Sequence, residues 1–360
     1  INLYWKLRKS MKILRLYTRL PPLPGGMENH IAQLTREQIK LGHEVSIYFN
    51  QGSCVTSNDI QITKLPLHKI KPQFIGLLIF HFLVLIRVLM NRDKFDIVHI
   101  HGDWSSLVFS KLIKMLVRAD KVIITIHDQI SNKLLQQKAL AVGLRFVDII
   151  FTTGYEAANQ LEKLTSKKII VQPSGVNKIF FSDFNRNFEN EKFTVVTVAN
   201  LLPKKNIELI LEIAKALKEF RFILVGDGNH RKVLENIIRR ENIDNVELVG
   251  FKSAEVVRKY YYESDCYLLT SLSEGTPTSI LEAMACGLPI VSSNAGGVKS
   301  ILGKHNCVAD LSNKYQFIDC LSNFSVNVKL RRDISIKNRI QSEKYAWKSV
   351  AKNINLHLKG

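Results

Sequence analysis

Apolar and polar positions along this chain switch between two periods, and the switching repeats from end to end. Short runs such as Val122-Ile-Ile-Thr-Ile126 and Asp148-Ile-Ile-Phe151 are apolar on both faces. Such runs predict strands of a parallel sheet covered by helices on both sides. In the first half the pattern predicts strands over 12–18, 44–49, 96–101, 121–127, 148–153 and 168–172. Helices are predicted between them over 28–41, 74–91, 104–118 and 155–164. After a looser stretch at 185–192 the pattern restarts, with strands over 193–199, 222–225, 246–249, 266–270 and 289–292. Helices over 207–219, 230–240, 254–263 and 278–286 complete the second run. Two consecutive βα runs predict an α/β chain of two Rossmann-like, doubly wound domains, whose ligands bind outside the C-terminal strand ends.

Composition narrows the class. The chain has 360 residues, of which 46% are hydrophobic and 23% charged, an ordinary globular balance that excludes disorder. Its formal net charge is +19, and the excess leans toward the first half: residues 1–170 hold 24 Lys and Arg against 12 Asp and Glu, the remainder 27 against 20. That balance favours an anionic partner, either phosphorylated substrates or an anionic membrane surface. The basic residues are dispersed without an aromatic platform, so nucleic acid is not an expected partner. Five scattered cysteines argue against a disulfide framework or a zinc site, and hence for a reducing cytoplasm. Residues 1–10 lack an apolar core of secretory length and are expected to be an extension ahead of Met11. The segment 74–90 is strongly apolar but is interrupted by His81 and Arg87; it is expected to be a buried or interfacial helix.

The most informative segment is Glu274-Gly-Thr-Pro-Thr-Ser-Ile-Leu-Glu282, followed by Ala-Met-Ala-Cys-Gly287. Thr276 suits an N-cap, Pro277 the first helical position and Gly287 the stop. Glu282 then lies in the second turn among apolar residues, where a carboxylate needs hydrogen-bond partners. The helix N-terminus beside Glu274 offers free N–H groups and partial positive charge, a seat for phosphate. A polyol joined to phosphate, as in a nucleotide sugar, matches both features. The segment resembles the paired-glutamate motif of the retaining glycosyltransferases of family 4, also called glycosyltransferases group 1, which have the GT-B fold.

The resemblance runs over about residues 11–355 and implies roles for further positions. It implies that Glu274 lies against the donor sugar, with Gly275, Thr276, Pro277 and Thr278 around it, and that Glu282 holds the ribose. Val198-Ala-Asn200-Leu-Leu-Pro-Lys204-Lys205 is similar to the family's phosphate loop. Lys205 falls on its Lys and Asn200 on its Arg, a departure that removes a charge and leaves Lys204 to compensate. Gly226 and Gly228 resemble a donor-side Gly-x-Gly turn, Phe251 a segment against the nucleobase, and Gly296-Gly297 an element near the donor sugar. In the first half, Gly25 and Gly26 precede a helix where a diphosphate could approach the backbone. His127 ends a strand and resembles the histidine that contacts the donor sugar. His99 and His101 are expected on opposite strand faces, His101 on the acceptor side and His99 in the core.

The resemblance therefore implies a GT-B enzyme with domains 11–175 and 176–343 facing across a cleft, and a closing helix over 344–360 that crosses back. It implies hexosyl transfer, with retention, from a UDP-, GDP- or ADP-sugar to a glycan or lipid-linked acceptor, as in bacterial lipopolysaccharide or other cell-surface polysaccharide synthesis. Glu274, His127 and Lys205 would be the catalytic set. No metal or other cofactor is expected, since the chain has no Asp-x-Asp motif and no His/Cys cluster at ligand spacing. The expected place of action is the cytoplasm, peripherally on the inner membrane face. A non-catalytic nucleotide-sugar-binding protein and a GT-B epimerase are the alternatives. A nicotinamide dehydrogenase is not supported, because neither half has Gly-x-Gly-x-x-Gly after its first strand.

Overall fold

The computed structural model describes residues 10–359 apart from 22, 24, 25, 54–59, 69, 72, 128, 129, 182–187 and 189. The chain divides into two compact units. One comprises the chain up to Gly175 together with Trp347 onward, and the other is Val176–Ala346.

The first unit holds seven strands: β1 (Lys12–Leu16), β2 (Glu44–Phe49), β3 (Gln61–Lys64), β4 (Ile97–His101), β5 (Lys121–Ile126), β6 (Ile149–Thr152) and β7 (Ile169–Val171). They form one parallel sheet in the order β3-β2-β1-β4-β5-β6-β7. Side chains alternate across it as strand geometry requires. Leu14, Leu16, Val98, Ile100, Val122 and Ile124 pack on one layer of helices with Phe80, Val84, Val88 and Ile113. Ile13, Ile97 and Ile123 face the other layer, where Ile31, Leu34, Val350 and Ile354 cover them. Each such buried aliphatic side chain contributes about 1.5–3 kcal/mol relative to exposure. The helix Trp347–Lys359 thus completes the first unit, and Trp347 fits closely over Gly175, where a Cβ would come within 2.3 Å of its ring.

The second unit holds β8 (Thr194–Val198), β9 (Arg221–Val225), β10 (Val246–Gly250), β11 (Cys266–Leu269), β12 (Ile290–Ser293) and β13 (Cys307–Ala309). Its parallel order is β10-β9-β8-β11-β12-β13. The reversal of strand order falls between β8 and β11, the place where such sheets bind ligands.

Several sequence expectations need correction. The helix expected over 104–118 is a 3₁₀ turn at Trp104–Leu107 followed by a helix at Ser110–Val117. Serine side chains cause the break: Ser105 Oγ donates to Asp103 Oδ1 (2.6 Å) and Ser110 Oγ to the Leu107 carbonyl (2.7 Å), competing with the helical ladder. The edge strands β3 and β13, and the helices Leu134–Leu144, Lys314–Val326 and Val328–Ser342, carry too weak a pattern to be expected. The disulfide expectation also fails. β13 and the helix Lys314–Val326 bring Cys307 and Cys320 to a Cα separation of 6.4 Å, and they are bonded, so the cysteines no longer argue for a reducing compartment. Cys266 and Cys286 are free and buried.

Candidate functional site

In the second unit the C-terminal ends of β8 and β11 lie side by side, and the loops leaving them carry the polar groups. The loop after β8 ends in a 3₁₀ turn, Pro203–Lys205, and the loop after β11 carries Ser271 to Pro277. Leu272 N donates to the Lys204 carbonyl (2.9 Å), and Thr270 Oγ1 donates to the Asn206 carbonyl (2.9 Å), stitching the two loops together. This brings Lys205 Nζ onto Glu274 Oε1 as an ion pair, although the residues are 69 apart in sequence. Both are largely buried, and Ser271 Oγ donates to the same carboxylate oxygen at 2.6 Å. A buried pair of this kind persists only with such additional hydrogen bonds. Asn200 and Lys204 are exposed on the first of these loops.

The helix Thr278–Ala285 begins where the periodicity predicts, but its N-cap is Pro277 rather than Thr276, because Ile280 N bonds the Pro277 carbonyl (3.0 Å). Glu282 lies in its second turn. The Tyr261 hydroxyl donates to Glu282 Oε2 (3.2 Å), while the Tyr267 hydroxyl donates to Ser279 Oγ (2.7 Å). Burial pushes the Glu282 carboxyl up to about 7, against the opposing pull of the Tyr261 hydrogen bond. Tyr261 had no signal in the sequence beyond its helical spacing.

Three of the glycines are fixed by close approach. A Cβ on Gly226 would lie 1.9 Å from the Ala199 carbonyl oxygen, and one on Gly228 would lie 2.2 Å from that of Leu201. The turn after β9 therefore lies directly against the loop after β8. Gly296 (φ 64°) lies on the Glu274–Gly275 backbone, with a Cβ position 2.6 Å from the Glu274 oxygen. Gly297 also has positive φ and caps the short helix Val298–Leu302. Phe251 projects into solvent, 78% exposed.

In the first unit the strand ends carry histidines. His101 and His99 do not point to opposite faces: two residues along a strand return to the same face, and their rings stack at 4.2 Å. His101 Nδ1 and His127 Nε2 are 3.0 Å apart, one donating to the other. His30, on the helix Gly26–Lys40, meets the His127 ring edge-on at 4.7 Å, and its Nδ1 pairs with Ser174 Oγ (2.9 Å). Ligand nitrogens of His30, His101 and His127 lie within 4.8 Å of one another, so this trio is where a cation could be held. The Nε2 atoms of His30 and His101 are buried without a hydrogen-bond partner. Burial lowers the pKa of all three, with His127 down to about 3, so the cluster is neutral at pH 7.

Beneath it lies Arg15, fully buried, with its pKa lowered by desolvation to about 9. Its guanidinium donates to Thr35 Oγ1, Gln38 Oε1 and, at 3.5 Å, His99 Nδ1. A guanidinium can only donate, so His99 carries its proton on Nε2 and donates it to Thr125 Oγ1 (2.8 Å). His30 and Arg15 are the residues the sequence reading missed; neither ends a strand loop.

His101 and His127 line a cavity of about 280 Å3 together with the polar Arg19, Asp103 and Gln136 and the apolar Leu77, Trp104 and Leu140. Arg19 is held by an ion pair with Glu28 (2.9 Å). Gly26 begins its helix in open space, while Gly25 lies outside the described residues.

The second unit matches the family described as glycosyl transferases group 1 over residues 178–341, and the first matches glycosyltransferase family 4 over residues 24–178. The chain is 29% identical, over 300 residues, to one of the subunits of human phosphatidylinositol N-acetylglucosaminyltransferase, covering 78% of this chain and 61% of that protein. The gpi3 subunit of the same enzyme from Schizosaccharomyces pombe is 27% identical over 79% of this chain and 66% of its own length. The chain thus spans less than two thirds of either relative. Among solved structures, Anabaena HepE in complex with UDP shares the fold with a TM-score of 0.78 at 17% identity, covering 97% of this chain and 99% of that one. The two sheets and these matches define the class: the chain is a glycosyltransferase of the GT-B type. Within that class its halves are a family 4 domain followed by a group 1 domain.

Proposed function

We propose that the protein transfers a hexosyl-type sugar, with retention, from a nucleotide-diphosphate sugar held by the second unit to a hydroxyl of a glycan or lipid-linked acceptor. The observation that carries this is the buried Lys205–Glu274 pair, fixed by Ser271 at the reversal of strand order. Lys205 would turn to the diphosphate as charge develops on the leaving oxygen, and the Thr278–Ala285 helix N-terminus adds positive potential. Lys204 and Asn200 are exposed on the same loop and would donate to the diphosphate from outside. Glu274 would then accept from the sugar hydroxyls it now lacks, and Glu282 from the ribose diol. The anomeric C–O bond to the diphosphate breaks, the acceptor oxygen bonds the same face, and its proton leaves on the departing phosphate.

The turns at Gly226, Gly228 and Gly296 bring backbone close enough to wall this donor site, and Phe251 offers an open ring to the base. In the first unit, His101 and His127 line the 280 Å3 cavity and would meet substrate hydroxyls there. Support for a UDP donor comes from HepE, whose structure contains UDP. The relatives' names add N-acetylglucosamine as the sugar to test first and phosphatidylinositol as an acceptor alongside the bacterial glycans.

A thermal-shift series with UDP, GDP and ADP tests the donor site. Ligand at about 100 times Kd adds roughly 2.7 kcal/mol, and one nucleotide is expected to raise the melting temperature selectively. A flat response to all three removes the donor assignment.

A further inference from the structure

The first unit carries an apolar surface that the donor chemistry does not use. The helix Gln73–Asn91 is apolar on most of its circumference, interrupted by the buried His81 and the exposed Arg87: over Phe74–Asn91 its mean hydropathy is 2.2. One stripe, Phe80, Val84 and Val88, is buried on the sheet, so the helix lies along the unit. The opposite stripe, Phe82, Ile86, Leu89 and Met90, is open to solvent at spacing i, i+4, i+7, i+8. The neighbouring segment repeats this spacing with Val108, Leu112, Met115 and Leu116, also exposed. The Phe82 and Phe109 rings, 6.2 Å apart, join the two stripes, and Lys111 lies over Phe146 at the foot of the helix Leu134–Leu144. That third helix adds Leu134 and Leu135, 64% and 82% exposed. Contiguous exposed apolar surface on this scale marks an interaction site.

Charge identifies the occupant. The three helices carry Arg87, Lys111, Lys114 and Lys138 and not one Asp or Glu. Lys114 is engaged by Asp148 and Arg87 by the Tyr48 hydroxyl, while Lys111 and Lys138 are exposed. An apolar face with cations and no acids on its helices matches an anionic lipid surface, in which the side chains enter the headgroup boundary and the cations meet the lipid phosphates.

We propose that this face docks on an anionic bilayer and that the acceptor comes from that bilayer as a lipid-borne hydroxyl. The geometry links the two. Leu77 of the first helix and Leu140 of the third line the His101–His127 cavity, and Trp104, at its wall, meets exposed Phe74 with rings 6.0 Å apart. A lipid chain held against the face would therefore present its head group to the histidines. The acceptor part rests on the function proposed above; the docking part does not.

The test is flotation of the full chain with vesicles of phosphatidylcholine alone and with about one third phosphatidylglycerol. Flotation is expected with the anionic vesicles and a loss of at least tenfold in partition in about 0.5 M salt, where charges are screened beyond about 4 Å. The double variant Met90→Glu, Met115→Glu should lose at least tenfold as well, with its melting temperature and its response to nucleotide unchanged. Equal flotation by that variant, or none by the parent, overturns docking. So does a dimer in light scattering that the variant dissolves, because the face would then bind a second copy. If the parent floats but no nucleotide shifts its melting temperature, docking stands and the donor reading fails. Docking with transfer only to water-soluble acceptors, and none into vesicle lipid, overturns the lipid-borne acceptor.

Discussion

The two units solve the burial of polar groups in opposite ways. In the second, the positive charge of Lys205 is buried against a carboxylate that a serine also holds, so charge is balanced within a single pair. In the first, Glu28 is likewise paired with Arg19, but the deepest cation, Arg15, has no carboxylate partner among the described residues and leans on Thr35, Gln38 and His99. Stacked above it are histidines that desolvation keeps neutral. A compensated pair can exchange one partner for an incoming anion at little cost in net charge. A neutral cluster over a fixed cation is suited to holding hydroxyls and resists taking up protons. Under the proposed function, ionic chemistry falls to the second unit and hydroxyl recognition to the first.

The sharpest way to break this contrast is Lys205→Ala. Loss of one preorganised cation at a developing anion costs about 10²–10³ in kcat. Steady-state turnover with a saturating donor should fall by that factor with KM little changed, and wild-type turnover would detach Lys205 from the diphosphate. Next in size is Glu282→Gln. With its carboxyl near 7, Glu282 gains its charge as pH rises through neutrality, so wild-type nucleotide affinity should rise between pH 6 and 8. The glutamine variant should bind about tenfold more weakly at pH 8 and show a flat profile by calorimetry. A flat wild-type profile would remove Glu282 from the ribose.

The smallest effect concerns the histidines whose pKa burial lowers, which lie in the first unit. Burial lowers His81 to about 4, so between pH 6.5 and 4 the unfolded chain binds protons that the folded chain does not. Stability therefore falls as pH drops through that window, by about 1 kcal/mol for this residue between pH 6.5 and 5.5. His81→Leu, away from the cavity, should flatten the fall in chemical denaturation by that amount. An unchanged slope would show that His81 already takes up its proton in the fold.

What was legible in the sequence follows from where the signal is local. β2 spans the expected residues, and β5, β6 and β11 end within a residue of expectation, because each is an apolar run against turn residues. β3 was illegible: Gln61-Ile-Thr-Lys64 is an edge strand with three of its four positions exposed and one partner strand, so it carries almost no hydrophobic pattern. The helix carrying Glu282, with Glu274 ahead of it, was visible from its breakers and its apolar turn, with its cap displaced by one residue. The pairing of Glu274 with Lys205 was not, since it depends on β8 and β11 becoming neighbours across 69 residues. His30 and Arg15 escaped for a different reason. Each lies inside a regular element, where a polar side chain reads as surface unless the facing layer is known.

The return of the last helix to the first unit sets an order of synthesis. Residues Val176–Ala346 form the second unit as one continuous stretch, so it can fold as soon as it has left the ribosome. The first unit, although translated earlier, shares one layer between the helix carrying Ile31 and Leu34 and the last helix, which brings Val350, Ile354 and Leu358. Until that helix arrives, this layer of the first unit is only partly covered while all of the second unit is made. The earlier half of this chain is therefore the later to finish, and in the interval its half-covered layer is the natural target for a holding chaperone.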